Sequence, residues 1–140
     1  MDEPILLPEP DDGLAAELNS RIDEFNARET GIDDGRLLQA EVRDDEGALV
    51  AGLTGWTWGS CGYIDVLWVR EDRRAQGLGR KLLDAAETEA YERGCAQIVT
   101  SSHSFQAPEM YRARGYLEYG RIDEYPRGFA HIHFVKDLLV

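Results

Sequence analysis

Apolar residues in the first part of the chain recur with two different periods. Leu14, Leu18, Ile22 and Phe25 are spaced by four and three residues, which predicts an amphipathic helix. Glycines and aspartates then break this pattern, and three apolar or alternating segments predict strands over residues 37–42, 48–58 and 63–69. The third segment is the most apolar, so we expect it near the centre of a sheet.

The second part of the chain mixes the helical and strand periods. Residues 79–93 carry one apolar stripe that stops at Gly94, which predicts a helix. Pro108 suits the first position of a short helix ending before Gly115. Strands are predicted over residues 97–101, 116–125 and 129–138. This order predicts one α/β domain over residues 1–140, a mixed sheet with helices on its faces.

Charge narrows the classes of partner. The net charge is -12 at pH 7, and a surface this acidic disfavours nucleic acid and anionic membranes. No apolar run approaches the length of a membrane span and no signal peptide pattern is present, so we expect a cytoplasmic protein. Lys81 and Lys136 are the only lysines, and this acidic, lysine-poor composition resembles that of proteins adapted to high salt.

Cysteine and histidine give no metal signature. Cys61 and Cys95 have no metal or redox spacing, which favours two reduced thiols. His131 and His133 alternate within a predicted strand and share one face, but no third ligand of fitting type lies nearby in the sequence. We therefore expect no bound metal.

The segment after the third strand has the composition of a phosphate-binding turn. Gly77 and Gly79 flank one residue at the start of a predicted helix, where unpaired N–H groups attract anions. Four cations crowd this part of an otherwise acidic chain, namely Arg73, Arg74, Arg80 and Lys81. The turn lacks the third glycine of a dinucleotide fingerprint and the Gly-Lys-Ser/Thr of a P-loop, so those two folds are disfavoured.

Two motifs in this order resemble the GNAT superfamily of N-acetyltransferases. The run Arg74-Ala75-Gln76-Gly77-Leu78-Gly79 matches the family's Arg/Gln-x-x-Gly-x-Gly/Ala, and Met110-Tyr111-Arg112-Ala113-Arg114-Gly115-Tyr116 matches its second conserved region. The resemblance implies the GNAT fold, acetyl-CoA as co-substrate, and transfer of the acetyl group to an amine by direct attack in a ternary complex. The segment Phe105-Gln106-Ala107-Pro108 further resembles one branch of small GNAT proteins.

The resemblance also implies which residues hold acetyl-CoA. Backbone N–H groups of the turn would bind the pyrophosphate, Arg74 would brace the turn, and the preceding strand would pair with the pantetheine arm. The residues concerned are Leu67, Trp68, Val69, Gln76, Gly77, Leu78, Gly79, Arg80 and Lys81. Ser104 replaces an asparagine that often contacts the cofactor in the family, and Gln106 is the candidate to replace that contact.

Two residues are the candidate catalytic groups. By resemblance, Tyr111 protonates the departing CoA thiolate, and it also contacts the cofactor. Asp65 is the candidate general base, because strand alternation places it with Tyr63, Leu67 and Val69 on one face, where we expect partial burial. His103, after the next strand, is the rival base.

The acceptor should enter opposite the CoA arm. Candidate lining residues are Phe25 and Asn26 on the first helix, Trp56 and Trp58 on one strand face, and Tyr125 near the last turn. An acidic chain with such aromatic residues favours a cationic amine, whether a small molecule or a peptide. Family members often pair through late strands, so a homodimer through residues 129–138 is expected.

Two other functions compete with catalysis. A non-catalytic sensor or interaction module would keep the acetyl-CoA cradle without turnover. An antitoxin-like interaction protein would use the arginine cluster to bind an acidic partner and no cofactor at all. Tyr111 favours the enzyme over the sensor, and binding of CoA would separate both from the interaction protein.

Overall fold

Local sequence signals set both ends of the first helix, α1, which spans Asp12–Thr30. The Asp11 carboxylate accepts a hydrogen bond from the Gly13 N–H at 2.8 Å, and Gly31 ends the helix with φ of 71°. None of the side chains of α1 is buried. The structure, a computed structural model that describes residues 2–139, places α1 in a unit of residues 1–33.

The other elements belong to a unit of residues 34–140, and they follow the predicted order. The strands are β1 (Arg36–Arg43), β2 (Leu49–Trp58), β3 (Cys61–Val69), β4 (Gln97–His103), β5 (Leu117–Asp123) and β6 (Ala130–Asp137). The helices are α2 (Leu78–Glu92) and α3 (Pro108–Ala113), preceded by a 3-10 turn at Glu71–Arg73. The expectation of one domain over the whole chain stays a prediction.

The six strands form one mixed sheet in the order β1-β2-β3-β4-β6-β5. All neighbours are antiparallel except β3 and β4, which run parallel and are joined through α2. The interior place predicted for β3 is confirmed. The strand β6 is paired on both sides, so the exposed edge of the late strands is β5.

One face of this sheet packs against α2 and α3 to form the core. The stripe predicted for α2 buries Leu82, Leu83, Ala86 and Ala90. Opposite it lie apolar residues from most strands, namely Leu38, Ala51, Leu53, Ile64, Ile98, Ile132 and Phe134. The other face of the sheet, which we call the open face, carries half-buried and exposed side chains. Within residues 2–139, no helix is long and apolar enough to cross a membrane.

A half-buried carboxylate ties α2 to the C-terminal strands. Glu87 accepts hydrogen bonds from Lys136 Nζ at 2.6 Å, the Tyr116 hydroxyl at 2.9 Å and Arg114 Nε at 3.2 Å. Burial opposes the charge of Glu87, but these donors outweigh it and lower the pKa of the carboxyl. Burial of the Tyr116 hydroxyl and the nearby charge of Glu87 raise the pKa of Tyr116 well above its ordinary value.

We expect Glu87→Gln to lower the free energy of unfolding by about 2 kcal/mol at neutral pH, since three donors lose a charged acceptor. A lowered pKa stabilises the fold above the unfolded-state pKa, so this contribution disappears as the pH falls through the folded-state pKa of Glu87. The difference between variant and parent in urea unfolding should therefore shrink in acid. Asp84→Asn is the control, because Asp84 contacts Arg114 from an exposed position. Equal losses for both variants would contradict this account.

Candidate active site

Two parallel strands separate halfway along their length. Residues 61–64 of β3 pair with residues 97–100 of β4, and beyond them the two strands have no partners across the gap among the described residues. The Thr100 hydroxyl donates to the Ile64 carbonyl at 3.0 Å and closes the last paired position. The separated part, which we call the cleft, exposes the backbone edge of β3 that includes Leu67 and Trp68.

A bulge in β3 coincides with the start of the cleft. Val66 pairs with Thr54 and Ile64 pairs with Gly55, which leaves Asp65 without a partner on β2. The alternation of side chains therefore changes phase at this point. Leu67 and Val69 pack against the core with Ile64, whereas Asp65 is exposed. The predictions that Asp65 shares a face with Leu67 and Val69, and that it is partly buried, are wrong.

Glycine is required opposite this bulge. A Cβ atom on Gly55 would lie 1.9 Å from the Tyr63 carbonyl oxygen, which no side chain can tolerate without moving the backbone.

We expect Gly55→Ala to destabilise the chain by about 3 kcal/mol, at the upper end of the range for overpacking, because β2 must move away from the bulge. Urea unfolding measures this loss. Gly120→Ala is the matched control, since Gly120 also borders a strand irregularity but a Cβ there meets nothing within 4 Å. If both variants lose stability equally, the close contact at Gly55 does not constrain the bulge.

The arginine-rich turn folds back onto the end of β3. Arg74 Nε donates to the Val69 carbonyl at 3.0 Å, and Arg73 Nε donates to Gln76 Oε1 at 3.2 Å. Ala75 and Gly77 have positive φ values of 62° and 83°. The glycine was evident from the sequence, but the strained alanine had no sequence signal.

The start of α2 suits an anion. Gly77 caps this helix without a side-chain hydrogen bond, and the first helical bond runs from the Lys81 N–H to the Gly77 carbonyl at 3.0 Å. The N–H groups of Leu78, Gly79 and Arg80 precede that bond and have no acceptor within the helix. The first turn holds no acidic residue, and a Cβ on Gly77 would meet nothing within 4 Å. An approaching phosphate thus finds open space and free donors.

A cavity lies beside this helix start, between α2 and α3. It has a volume of about 590 Å³ and is lined by Arg80, Met110, Ala113, Arg114 and Lys136. Three of these five residues are cationic, which suits a polyphosphate ligand. Gly79 packs tightly here, since its Cβ would lie 3.0 Å from Met110 Sδ. Sequence reasoning missed Met110, Arg114 and Lys136 as neighbours of the turn, because α3 and β6 bring them there.

Tyr111 lies at the point where β3 and β4 separate. It is buried on α3, with the Tyr116 ring centroid at 5.3 Å and the Phe134 centroid at 5.7 Å. Burial raises the pKa of Tyr111, and a hydrogen bond with Thr100 offsets part of that rise. The phenol therefore stays protonated at neutral pH, as a proton donor must.

Aromatic residues lie on the open face. Trp56 stacks on Tyr63 with ring centroids 4.6 Å apart, and Trp58 is exposed on the same strand. Both pair with the part of β3 that is still joined to β4, at Tyr63 and Cys61, so they lie before the point where the cleft begins. Tyr125 is half exposed, in the loop between β5 and β6. Asn26 lies on α1 in the other unit, so its part in acceptor binding, like that of Phe25, stays a prediction.

Gln106 and Ser104 hold the end of β4. Gln106 Oε1 accepts from the His103 N–H at 2.7 Å, and Ser104 Oγ accepts from the Ala130 N–H at 3.0 Å. The amide of Gln106 is thus engaged with the chain itself, and its predicted contact with the cofactor stays a prediction.

This geometry agrees with what comparisons with known proteins find. The Acetyltransferase (GNAT) family matches residues 7–116. Blasticidin-S acetyltransferase from Streptomyces morookaense is 37% identical over 118 residues, 79% of this chain and 85% of that protein. An acetyltransferase from Agrobacterium fabrum is 33% identical over 98 residues, 70% of this chain and 72% of that one.

Solved structures lead to the same class. The crystal structure of an acetyltransferase from Bacillus cereus ATCC 14579 superposes with a TM-score of 0.79 at 30% identity, covering 95% of this chain and 97% of that one. The chain belongs to the GNAT acetyltransferase family. It is an acetyl-CoA-dependent acetyltransferase, and the alternative of a non-catalytic sensor is not supported.

Proposed function

We propose that this enzyme transfers the acetyl group to the amine of a small cationic molecule, by direct attack in a ternary complex. The observation that carries the proposal is the cleft, which lies between a helix start suited to an anion, a buried tyrosine and, on the open face, the ring of Tyr125. Acetyl-CoA contributes the activated acetyl thioester. The residues of the chain bind it, admit the amine and move the protons.

Binding of the cofactor is assigned to the turn and the cleft. Backbone N–H groups of residues 76–80 would bind the pyrophosphate, whereas the Lys81 N–H is already bonded to the Gly77 carbonyl and only its cationic side chain is available. Arg74 holds the turn against the end of β3. The pantetheine arm would lie along the unpaired backbone edge of β3 at residues 67–69, where a neighbouring strand would otherwise form hydrogen bonds. The cationic lining of the α2–α3 cavity supports the same placement.

The nature of the acceptor follows from charge and from the relatives. The net charge of -12 favours a cation, and a planar or cationic group can stack on the exposed indoles of Trp56 and Trp58. One relative is named for blasticidin S, an antibiotic, which supports a small-molecule amine over a protein N-terminus. Tyr125, at the far side of the cleft, completes the proposed lining.

A thiol-release assay over a panel of amines tests the function. The panel contains blasticidin S, aminoglycosides, polyamines, amino acids and peptide N-termini, each at low and at molar KCl. We expect turnover with at least one cationic small molecule and with none of the peptides. Turnover only with peptides would overturn the proposed acceptor class, and failure to bind CoA in calorimetry would overturn the whole assignment.

Tyr111→Phe tests the proposed proton donor. We expect kcat to fall about 100-fold, a typical contribution of general acid catalysis, with little change in the affinity for CoA. Tyr91→Phe removes a hydroxyl from an exposed tyrosine of α2 and serves as the control. An unchanged kcat in Tyr111→Phe would remove the phenol from the mechanism.

Three finer expectations each follow from one feature of the chain. Exposed Leu117, Tyr119 and Ile122 on the edge strand β5 support a homodimer through this edge, which light scattering would detect.

The acidic, lysine-poor composition supports a cytoplasmic enzyme adapted to salt, for which stability should rise with KCl. The segment 105–108 supports the small-protein branch of the family.

A further inference from the structure

Three imidazoles stand in a row on the open face beside the cleft. His103 is the last residue of β4 and pairs with His131 on β6, which is followed on the same face by His133. The rings of His103 and His131 are stacked, with centroids 4.3 Å apart and planes at 20°. The centroid of His133 lies 4.5 Å from that of His131. These three residues are the only histidines of the chain.

The hydrogen bond of His103 defines its tautomer. His103 Nδ1 lies 2.9 Å from the Tyr125 carbonyl oxygen. A carbonyl can only accept, so Nδ1 carries the hydrogen and Nε2 of the neutral ring keeps its lone pair. Phe105 stacks on the same ring, with centroids 5.4 Å apart, and the His103 N–H is held by Gln106. The imidazole is thus oriented by its neighbours and presents a basic nitrogen.

His103 and Tyr111 lie on opposite faces of the sheet. Ile98, Thr100 and Ser102 of β4 are buried on the core face, and the Thr100 hydroxyl meets the Tyr111 phenol there. By alternation His103 lies on the open face, three residues beyond the last position at which β4 pairs with β3. An amine can therefore lose its proton on one side of the cleft while the thiolate gains one on the other.

The row of histidines also sets the charge around this nitrogen. Burial, and then the proximity of His103 and His133, lower the pKa of His131. Its Nδ1 is buried and has no hydrogen-bond partner among the described residues. His131 is therefore neutral at neutral pH. When His103 takes up a proton, the ring stacked against it carries no second positive charge.

The other ionisable groups on this face are few. Tyr125 contacts the His103 ring edge-on from the loop, and Tyr119 on β5 lies against His133. On the β3 side of the cleft are Tyr63 and Asp65, the latter exposed on the bulge. Within residues 2–139 no hydrogen bond or ion pair orients the Asp65 carboxylate, whereas His103 is fixed through Nδ1.

We propose that His103 is the general base of the reaction, a role that rests on the proposed acetyl transfer. Nε2 of His103 takes a proton from the ammonium form of the acceptor. The amine nitrogen then forms its bond to the acetyl carbon, the carbon–sulfur bond breaks, and Tyr111 protonates the thiolate. The nitrogen gives up a second proton once it is bonded to the acetyl carbon, this proton restores the tyrosine through water, and the proton on His103 passes to water. Of the two protons that the ammonium group loses, one thus ends on the CoA thiol and one is released.

The variant His103→Asn separates the base from its anchor. The asparagine amide can still donate toward the Tyr125 carbonyl, but it has no basic nitrogen. We expect kcat/KM to fall about 100-fold or more, with the acid limb of the pH profile lost and calorimetric affinity for CoA retained. Thermal unfolding checks that the variant is folded.

Two matched variants sharpen the test. His133→Asn makes the same change at the far end of the row, and we expect it to keep the acid limb. Asp65→Asn tests the rival base, and we expect it to keep the acid limb. If Asp65→Asn loses that limb, or if His103→Asn keeps it with an undiminished rate, His103 is not the base.

A measurement on the parent protein without substrate is independent of activity. Nitrogen-15 NMR of the imidazoles should show the Nδ1–H tautomer for neutral His103 and a neutral His131 at neutral pH. An Nε2–H tautomer for His103 would overturn the proposal even if acetyl transfer is confirmed. Conversely, the tautomer can be correct in a protein that acetylates none of the amines, which would overturn the proposed function and, with it, the role of His103.

Discussion

The separation of β3 from β4 is the constraint on which the rest of the site depends. The two strands pair as far as Ile64 and Thr100, and the bulge at Asp65 begins at the next residue of β3. A bulge bends its strand and increases its twist, which turns the following residues away from a parallel neighbour. Gly55 makes this possible, because any side chain there would collide with the Tyr63 carbonyl. One extra residue in one strand thus opens the cleft.

In the proposed mechanism, the cleft divides the chemistry between the two faces of the sheet. On the core face, burial keeps Tyr111 protonated and Thr100 holds its hydroxyl at the point of separation. On the open face, the half-buried and exposed rings of His103 and Tyr125 remain within reach of an acceptor. A sheet is one residue thick, so groups on opposite faces can act on one reacting centre without touching each other.

Charge is also distributed unevenly over the chain. The chain as a whole is strongly acidic, yet the turn and the α2–α3 cavity collect cations beside a helix start that lacks any acidic residue. The dipole of α2 adds to this local positive potential. Glu87 accepts hydrogen bonds from Arg114 and Lys136 and fixes both at the cavity wall, so its carboxylate offsets part of their charge. Arg80 lies at the helix start itself. An acidic protein can in this way bind an anionic cofactor and attract a cationic acceptor.

The sequence by itself determined the element order, the glycine turn before α2 and the position of Tyr111 on a short helix, because glycine spacing and apolar periods act over a few neighbouring residues. Only the tertiary structure decided that Asp65 is exposed, because a bulge in the pairing of β3 with β2 breaks the alternation of side chains at this residue. It also decided the orientation of His103, through a carbonyl more than twenty residues away at Tyr125. Register, burial and tautomer depend on partners that are distant in sequence, and no local pattern records them.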